Sequence, residues 1–283
     1  MRSDKVSDAP IGVFDSGVGG LSVLRAIREQ MPEESVVYFG DQAHVPYGPR
    51  PLQQVRDFSE GITRFLLSRH AKVIVVACNA ASAAALTYLR QSYPAALFVG
   101  MEPAVKPAAE HTSTGIVGVL ATPATFQGQL YASVVERFAK GVELLKSTCP
   151  GLVQRIEDGD LAGAGTRVIL EAALVPMLKR KIDTVVLACT HYPFVIPLIQ
   201  QVVGEGVRVI DPAPAVARQT QRLLASNGLR QPAGGSGVVE YLTSGETGPF
   251  NRVLTTLIGV NGPAGRLIWE RDKILTATGT PAV

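Results

Sequence analysis

Ile11-Gly12-Val13-Phe14-Asp15-Ser16-Gly17-Val18-Gly19-Gly20-Leu21 is the stretch on which the fold turns. An apolar run of four residues leads into a glycine-rich turn. Leu21, Leu24, Ile27 and Met31 then recur at helical spacing until Pro32. Strand, small-residue turn and helix in that order open a βαβ unit around a mostly parallel sheet. The same order recurs downstream. Residues 36–39 read as a strand. Leu52, Val55, Phe58, Ile62 and Phe65 draw one stripe along a helix over 51–70, and residues 73–77 read as a buried strand. Residues 115–120 restart the pattern, with a Thr-rich turn and a helix over 126–139. Further strands are expected at 184–188, 207–210 and 238–242.

Pro-rich segments at 102–107 and 211–214 read as crossings between two lobes, because proline stiffens the chain and removes ladder donors. The expected division is 1–103 plus 213–283 as one α/β lobe, with 104–212 inserted as the second. A single continuous sheet is the alternative, and the Gly/Ser stretch at 233–237 reads as an ordinary loop.

The chain has 283 residues, enough for one large α/β unit or two linked ones. Its 46% hydrophobic content excludes a mainly disordered chain, and the dispersed 28 glycines and 19 prolines exclude a collagen-like one. A net charge of +3 with no long basic run leaves no footprint for nucleic acid or an anionic membrane. The first ten residues carry Arg2, Asp4, Lys5 and Asp8 rather than the apolar core of a secretory signal. No later segment is apolar enough to span a membrane, so a cytoplasmic protein is expected. Three cysteines in that setting point to reduced thiols rather than a disulfide framework.

Two of those thiols sit in echoing contexts. Val75-Val76-Ala77-Cys78-Asn79 and Val186-Leu187-Ala188-Cys189-Thr190 share the order of buried strand, alanine, cysteine and small polar residue, so the lobes read as crude copies. Ligands of open parallel sheets bind beyond the carboxyl ends of the strands, where both cysteines fall. A helix N-terminus nearby favours a nucleophilic or basic thiolate. Either residue alone reads as a small buried hydrophobe, but the matched pair reads as chemistry. Cys149, beside Pro150 and without such a strand, keeps the buried reading.

Asp15 and Ser16 follow the first strand and share its sheet edge with Cys78; a helix cap is the alternative use for them. His191, two residues after Cys189, is placed to play the matching part, since imidazole titrates near neutrality. The run Gly17 to Gly20 lacks the Lys-Ser/Thr ending of a phosphate loop and the spacing of a dinucleotide fingerprint. It reads instead as backbone N–H groups approaching a small anion such as a carboxylate. Pro46-Tyr47-Gly48 offers a turn with amides and a phenol, and Thr122 and Thr125 add hydroxyls from the second lobe. Two thiols from two lobes, amid small donors and few cationic clamps, suit a small zwitterion with a base on each side of one carbon. That is the geometry needed to invert a stereocentre by proton transfer. No lysine lies in these motifs, so a pyridoxal Schiff base has no candidate there.

At these residues the chain resembles the glutamate racemases, within the aspartate/glutamate racemase family. The resemblance runs from about residue 11 to 259 through IGVFDSGVGGLSVL, YFGD with PYG, VVACNAASA, GVLATPAT, IEDG and LACTHYPF. It implies two pseudosymmetric α/β lobes, each a mostly parallel sheet flanked by helices, with the active site between them. It also implies no metal or cofactor, usually a homodimer, and supply of D-glutamate for peptidoglycan and cell-wall synthesis.

The resemblance makes Cys78 the base for D-glutamate and Cys189 the base for L-glutamate, with Asp15 assisting Cys78 and His191 assisting Cys189. Glu157 matches a further acidic residue near the second thiol. Ser16, Tyr47, Gly48, Asn79 and Thr190 match substrate-binding positions, to which Pro46, Thr122, Thr125 and His191 are added here. One position departs: the family commonly has Thr after Cys-Asn, where this chain has Ala80, so the backbone N–H remains without the hydroxyl. The short tail before Ile11 also implies no regulation through a long N-terminal extension.

Three competing readings stand beside this one. The same thiol pair could racemise aspartate, one methylene shorter. Cys78, Cys189, His191 and Asp15 could converge as metal ligands, although Cys-x-His is short and no CxxC occurs. A non-catalytic amino-acid-binding module could use the same cleft, but it would give paired cysteines no purpose.

Overall fold

The computed structural model describes residues 8–270 and the strand at 274–277. Readings that fall on residues 1–7, 271–273 and 278–283, including most of the N-terminal stretch and the extreme ends of the first lobe, lie outside the described residues.

From residue 11 to 100 the order is β1 (Ile11–Asp15), α1 (Leu21–Gln30), β2 (Val36–Gly40), α2 (Leu52–Ser68), β3 (Val73–Val76), α3 (Asn79–Ser92) and β4 (Phe98–Gly100). A middle stretch follows with α4 (Val105–His111), β5 (Ile116–Ala121), α5 (Pro123–Gln127), α6 (Gln129–Phe138), β6 (Glu143–Ser147) and α7 (Leu152–Glu157). It continues through α8 (Ala164–Lys179), β7 (Thr184–Ala188), a 3-10 turn (Tyr192–Val195), α9 (Ile196–Val203) and β8 (Arg208–Ile210). The chain then adds α10 (Ala213–Ser226), β9 (Val239–Thr243), α11 (Thr247–Ile258), β10 (Gly265–Glu270) and β11 (Ile274–Ala277).

These strands form two sheets, not one. The first runs β11-β10-β9-β2-β1-β3-β4 and the second β6-β5-β7-β8. Every pair is parallel except β10 with β11. The central strands are buried from end to end because helices cover both faces, which is why they read as near-continuous apolar runs. Ile11 and Val13 pack with Leu24, Ile27 and Leu224 on one face of the first sheet, while Phe14 packs with Val55, Phe58 and Ile62 on the other. In the second sheet Val185 and Leu187 pack with Leu170 and Leu174 of α8, and Val117 and Val119 with Tyr131 and Val134 of α6.

The expected helix over 126–139 is two helices, because Gly128 is extended (φ −72°, ψ 140°). A side chain there would meet Ala83 Cβ of α3 at 2.5 Å, so the break lets α3 and the α5–α6 corner approach. Among the described residues no helix is long and apolar enough to cross a membrane.

Candidate active site

Both sheets present the carboxyl ends of their strands to the same hollow. It is lined by Ser16 after β1, Pro46, Tyr47 and Gly48 after β2, and Cys78, Asn79 and Ala80 after β3. From the second sheet come Thr122 after β5 and Cys189, Thr190 and His191 after β7. Of the residues expected to gather here, Thr125 stands one step back and bonds Thr122 hydroxyl to hydroxyl at 3.1 Å. Asp15 and Glu157 also stand behind the lining and act on it through hydrogen bonds. Cys149 is buried in the core away from the hollow, where burial pushes its thiol up to about 11. The hollow has a volume of about 20 Å³, room for roughly one water, so an amino acid can enter only if the walls separate.

Cys78 is the N-cap of α3: its Sγ accepts from Ala81 N–H at 3.4 Å. It also donates toward Ser16 Oγ at 3.9 Å, and that hydroxyl donates to Asp15 Oδ1 at 3.4 Å, so thiol and carboxylate communicate through Ser16. Burial pushes the Cys78 thiol well up, and the charge of Asp15 pushes it further. Burial likewise raises the Asp15 carboxyl, against the pull of His191. Asp15 does not cap α1. It accepts from Gly17 N–H at 2.8 Å and from Thr190 Oγ1 at 2.9 Å, which ties the first β-turn to the second sheet. Ser22 adds a second tie, donating to Thr190 O at 3.0 Å.

On the opposite wall Cys189 Sγ lies 3.8 Å from His191 Nδ1, and His191 Nε2 bonds Glu157 Oε1 at 2.5 Å. Glu157 also accepts from Val18 N–H at 3.0 Å and from Gln42 Nε2 at 2.7 Å. Burial alone would lower His191, but Cys189 and Glu157 hold it well above its ordinary value. Burial alone would raise Glu157, but His191, Val18 N–H and Gln42 bring it below its ordinary value.

The pair therefore stabilises the fold over a bounded pH range. The His191 contribution is whole below 6.5 and fades as pH climbs through the raised value; that of Glu157 is whole above 4.5 and fades as pH falls through the lowered one. Thermal unfolding from pH 4 to 9 is expected to show the largest gap between the parent and Glu157→Gln between about pH 4.5 and 6.5. A gap that does not vary with pH would contradict the pairing.

The glycines of the first turn have a use other than the expected one. A Cβ at Gly17 would fall on Glu157 Oε1, and one at Gly19 would fall on His191 Nδ1 and Thr190 Oγ1. The anion received by the turn is thus the chain's own Glu157 carboxylate, on Val18 N–H. Tyr47 lines the hollow. Its hydroxyl donates to Asp41 Oδ2 at 2.5 Å, which holds the phenol to its own loop. Asp41 is buried and also accepts from Ser244 and Trp269, which anchors that loop to β9 and β10.

Asn79 is buried with neither amide atom partnered among the described residues, a polar group held ready at the lining. Sequence reasoning missed Val153, which lines the hollow from α7. It lies four residues before Glu157, on the same helical face, and that spacing was the available signal. Among the described residues no three His, Cys, Asp or Glu side chains gather as a metal site would require.

A family profile described as Asp/Glu/Hydantoin racemase matches residues 11–220, a span that carries both thiols and both of their polar partners. The chain belongs to this racemase family. As a racemase it is an isomerase, and its relatives are alike over nearly their whole length. The glutamate racemase of Pseudomonas paraeruginosa is 49% identical over 259 residues, 92% of this chain and 97% of that one. The crystal structure of a glutamate racemase isoform from Bacillus anthracis has a TM-score of 0.82 at 31% identity, covering 92% of this chain and 97% of the other. That of the Francisella tularensis glutamate racemase in complex with D-glutamate has a TM-score of 0.80 at 27% identity, covering 91% and 96%.

Proposed function

We propose that this racemase interconverts L- and D-glutamate by proton transfer between two thiols, with no cofactor. The observation that carries the reading is that Cys78 and Cys189, from two different sheets, line one small hollow. Inverting a carbon by proton transfer requires removal from one face and delivery to the other, and two opposed monoprotic groups do this without turning the substrate over. Cys189 removes the α-proton of L-glutamate with His191 beside it, and Cys78, protonated at rest, delivers its proton to the opposite face. In the reverse direction Cys78 removes the proton of D-glutamate, with Asp15 acting through Ser16.

The α-carbon is a weak acid, so the developing carboxylate charge needs donors. Asn79, the backbone N–H groups at Gly48, Ala80 and Thr190, and the hydroxyl of Thr122 supply them, with Thr125 donating to Thr122, while the hydroxyls of Ser16 and Thr190 give their protons to Asp15. Pro46 and Tyr47 shape the wall. Walls that part to admit the substrate and then close over it exclude solvent from the carbanion. Residues 1–103 with 213–283 and residues 104–212 are taken as the two lobes that separate to admit substrate. The supply of D-glutamate for peptidoglycan and a homodimeric state are supported by the family resemblance.

The test is to incubate purified protein with L-glutamate, D-glutamate and each enantiomer of aspartate, with no added cofactor, and follow optical activity. Loss of signal from both glutamate enantiomers is expected, with aspartate turned over more slowly. Faster turnover of aspartate would move the assignment to the shorter acid, and stable signals from all four would overturn it.

A further inference from the structure

Gln42 stands two residues beyond the end of β2, and a glutamine in a loop carries no mark of chemistry. Its main-chain N–H bonds Gly40 O at 2.9 Å, and the next N–H, of Ala43, bonds Ser244 Oγ at 3.0 Å, so the backbone there is fixed to its own sheet. The side chain leaves that sheet and reaches the last residue of α7, donating from Nε2 to Glu157 Oε2 at 2.7 Å. Room for its stem is provided by Gly245, where a Cβ would lie 2.5 Å from Gln42 Cβ.

Glu157 ends α7, and a helix C-terminus disfavours negative charge, so the carboxylate depends on the donors brought to it. Oε1 is shared between Val18 N–H and His191; Oε2 takes its hydrogen bond from Gln42. Rotation of the carboxylate about its last bond is therefore stopped on one side by Gln42.

We propose that Gln42 is a positioning residue for the reaction: it fixes the Glu157 carboxylate and, through it, the ring of His191 beside Cys189. This rests on the reading of Cys189 and His191 as an acid–base pair. Among the described residues, Asp15, Cys189 and the Tyr38 hydroxyl also act electrostatically on Glu157 or His191, and none of the three bonds Oε2.

Two substitutions test it. Gln42→Met keeps the volume and removes the donor, and is expected to lower kcat/KM about 10- to 100-fold, the worth of a hydrogen bond to a charged group. Gln42→Glu sets a second carboxyl against Glu157, and the two share a proton at low pH, where the protonated form donates as the amide does. Its kcat/KM relative to the parent is therefore expected to recover at least about tenfold between pH 8 and pH 5, the size of shift that shared-proton carboxyls give. A structural role would not produce that recovery.

A Gln42→Glu profile parallel to the parent's, or a Gln42→Met enzyme as fast as the parent, would overturn the proposal. If the parent itself does not racemise, the reading of the site fails, and stability decides Gln42 instead. The unfolding free energies of Gln42→Met, Glu157→Gln and the double variant are expected to be coupled; additive values would overturn the positioning role.

Discussion

Cys78→Ala and Cys189→Ala are each expected to abolish interconversion, lowering the rate at least about 10³-fold in both directions, because each removes the acid–base group serving one face of the carbon. The loss should be equally deep for either starting enantiomer, since a proton taken on one side must be replaced on the other. Both side chains are small and buried, and Ala shortens each by a single sulfur, so folding should survive. Cys78 also caps α3 through Ala81 N–H, so its alanine variant loses about 1 kcal/mol of helix-end stabilisation besides. Cys78→Ser keeps an acceptor at that cap while offering a hydroxyl too weakly acidic to serve as the base. It should unfold close to the parent temperature and remain inactive. Parent-level racemisation by either alanine variant would contradict the assignment.

Gly17→Ala and Gly19→Ala are expected to come next in severity, although neither residue touches the reacting carbon. A Cβ at position 17 would overlap Glu157 Oε1, and one at position 19 would overlap His191 Nδ1 and Thr190 Oγ1. The atoms met are side chains that hydrogen bonds hold in place, so they can make room only by breaking those bonds. Retreat breaks the Val18–Glu157 bond and turns the imidazole from Cys189. A loss of about 10²-fold in kcat/KM is expected, with about 1–3 kcal/mol of stability lost to overpacking. The measurement is kinetics with chemical denaturation on the same preparations. Activity retained in either variant would show that the approach of the two sheets is not required.

The parallel sheets were legible because helices cover both faces of them, so β1, β2, β3, β5 and β7 are unbroken apolar runs that end in small or polar residues. β6, whose Glu143 and Lys146 are exposed at a sheet edge, carries no such pattern, and β4 is only three residues long; β8 is as short, yet residues 207–210 read as a strand. The thiols were legible for the same reason as the strands: each stands just beyond a buried run. What lay between the two sheets was not.

Glu157 came from the family resemblance alone, since an acidic residue ending a short helix looks like a solvated one. Val153 could be found only by its spacing from Glu157, and Gln42 became visible only once the carboxyl ends of the two sheets faced one hollow. From the sequence alone, the glycines at 17 and 19 point to a bound anion. They serve the chain's own Glu157, Thr190 and His191, because the contact is between residues more than a hundred positions apart.

The central claim is that two monoprotic sulfurs address opposite faces of one carbon, and solvent isotope tests it most directly. L-glutamate is incubated in D₂O with the parent protein, and both enantiomers are separated at low conversion for mass analysis. The D-glutamate formed is expected to carry one α-deuterium per molecule while the remaining L-glutamate is still unlabelled. D-glutamate that retains the original α-proton, or label entering both pools at the same rate, would contradict it.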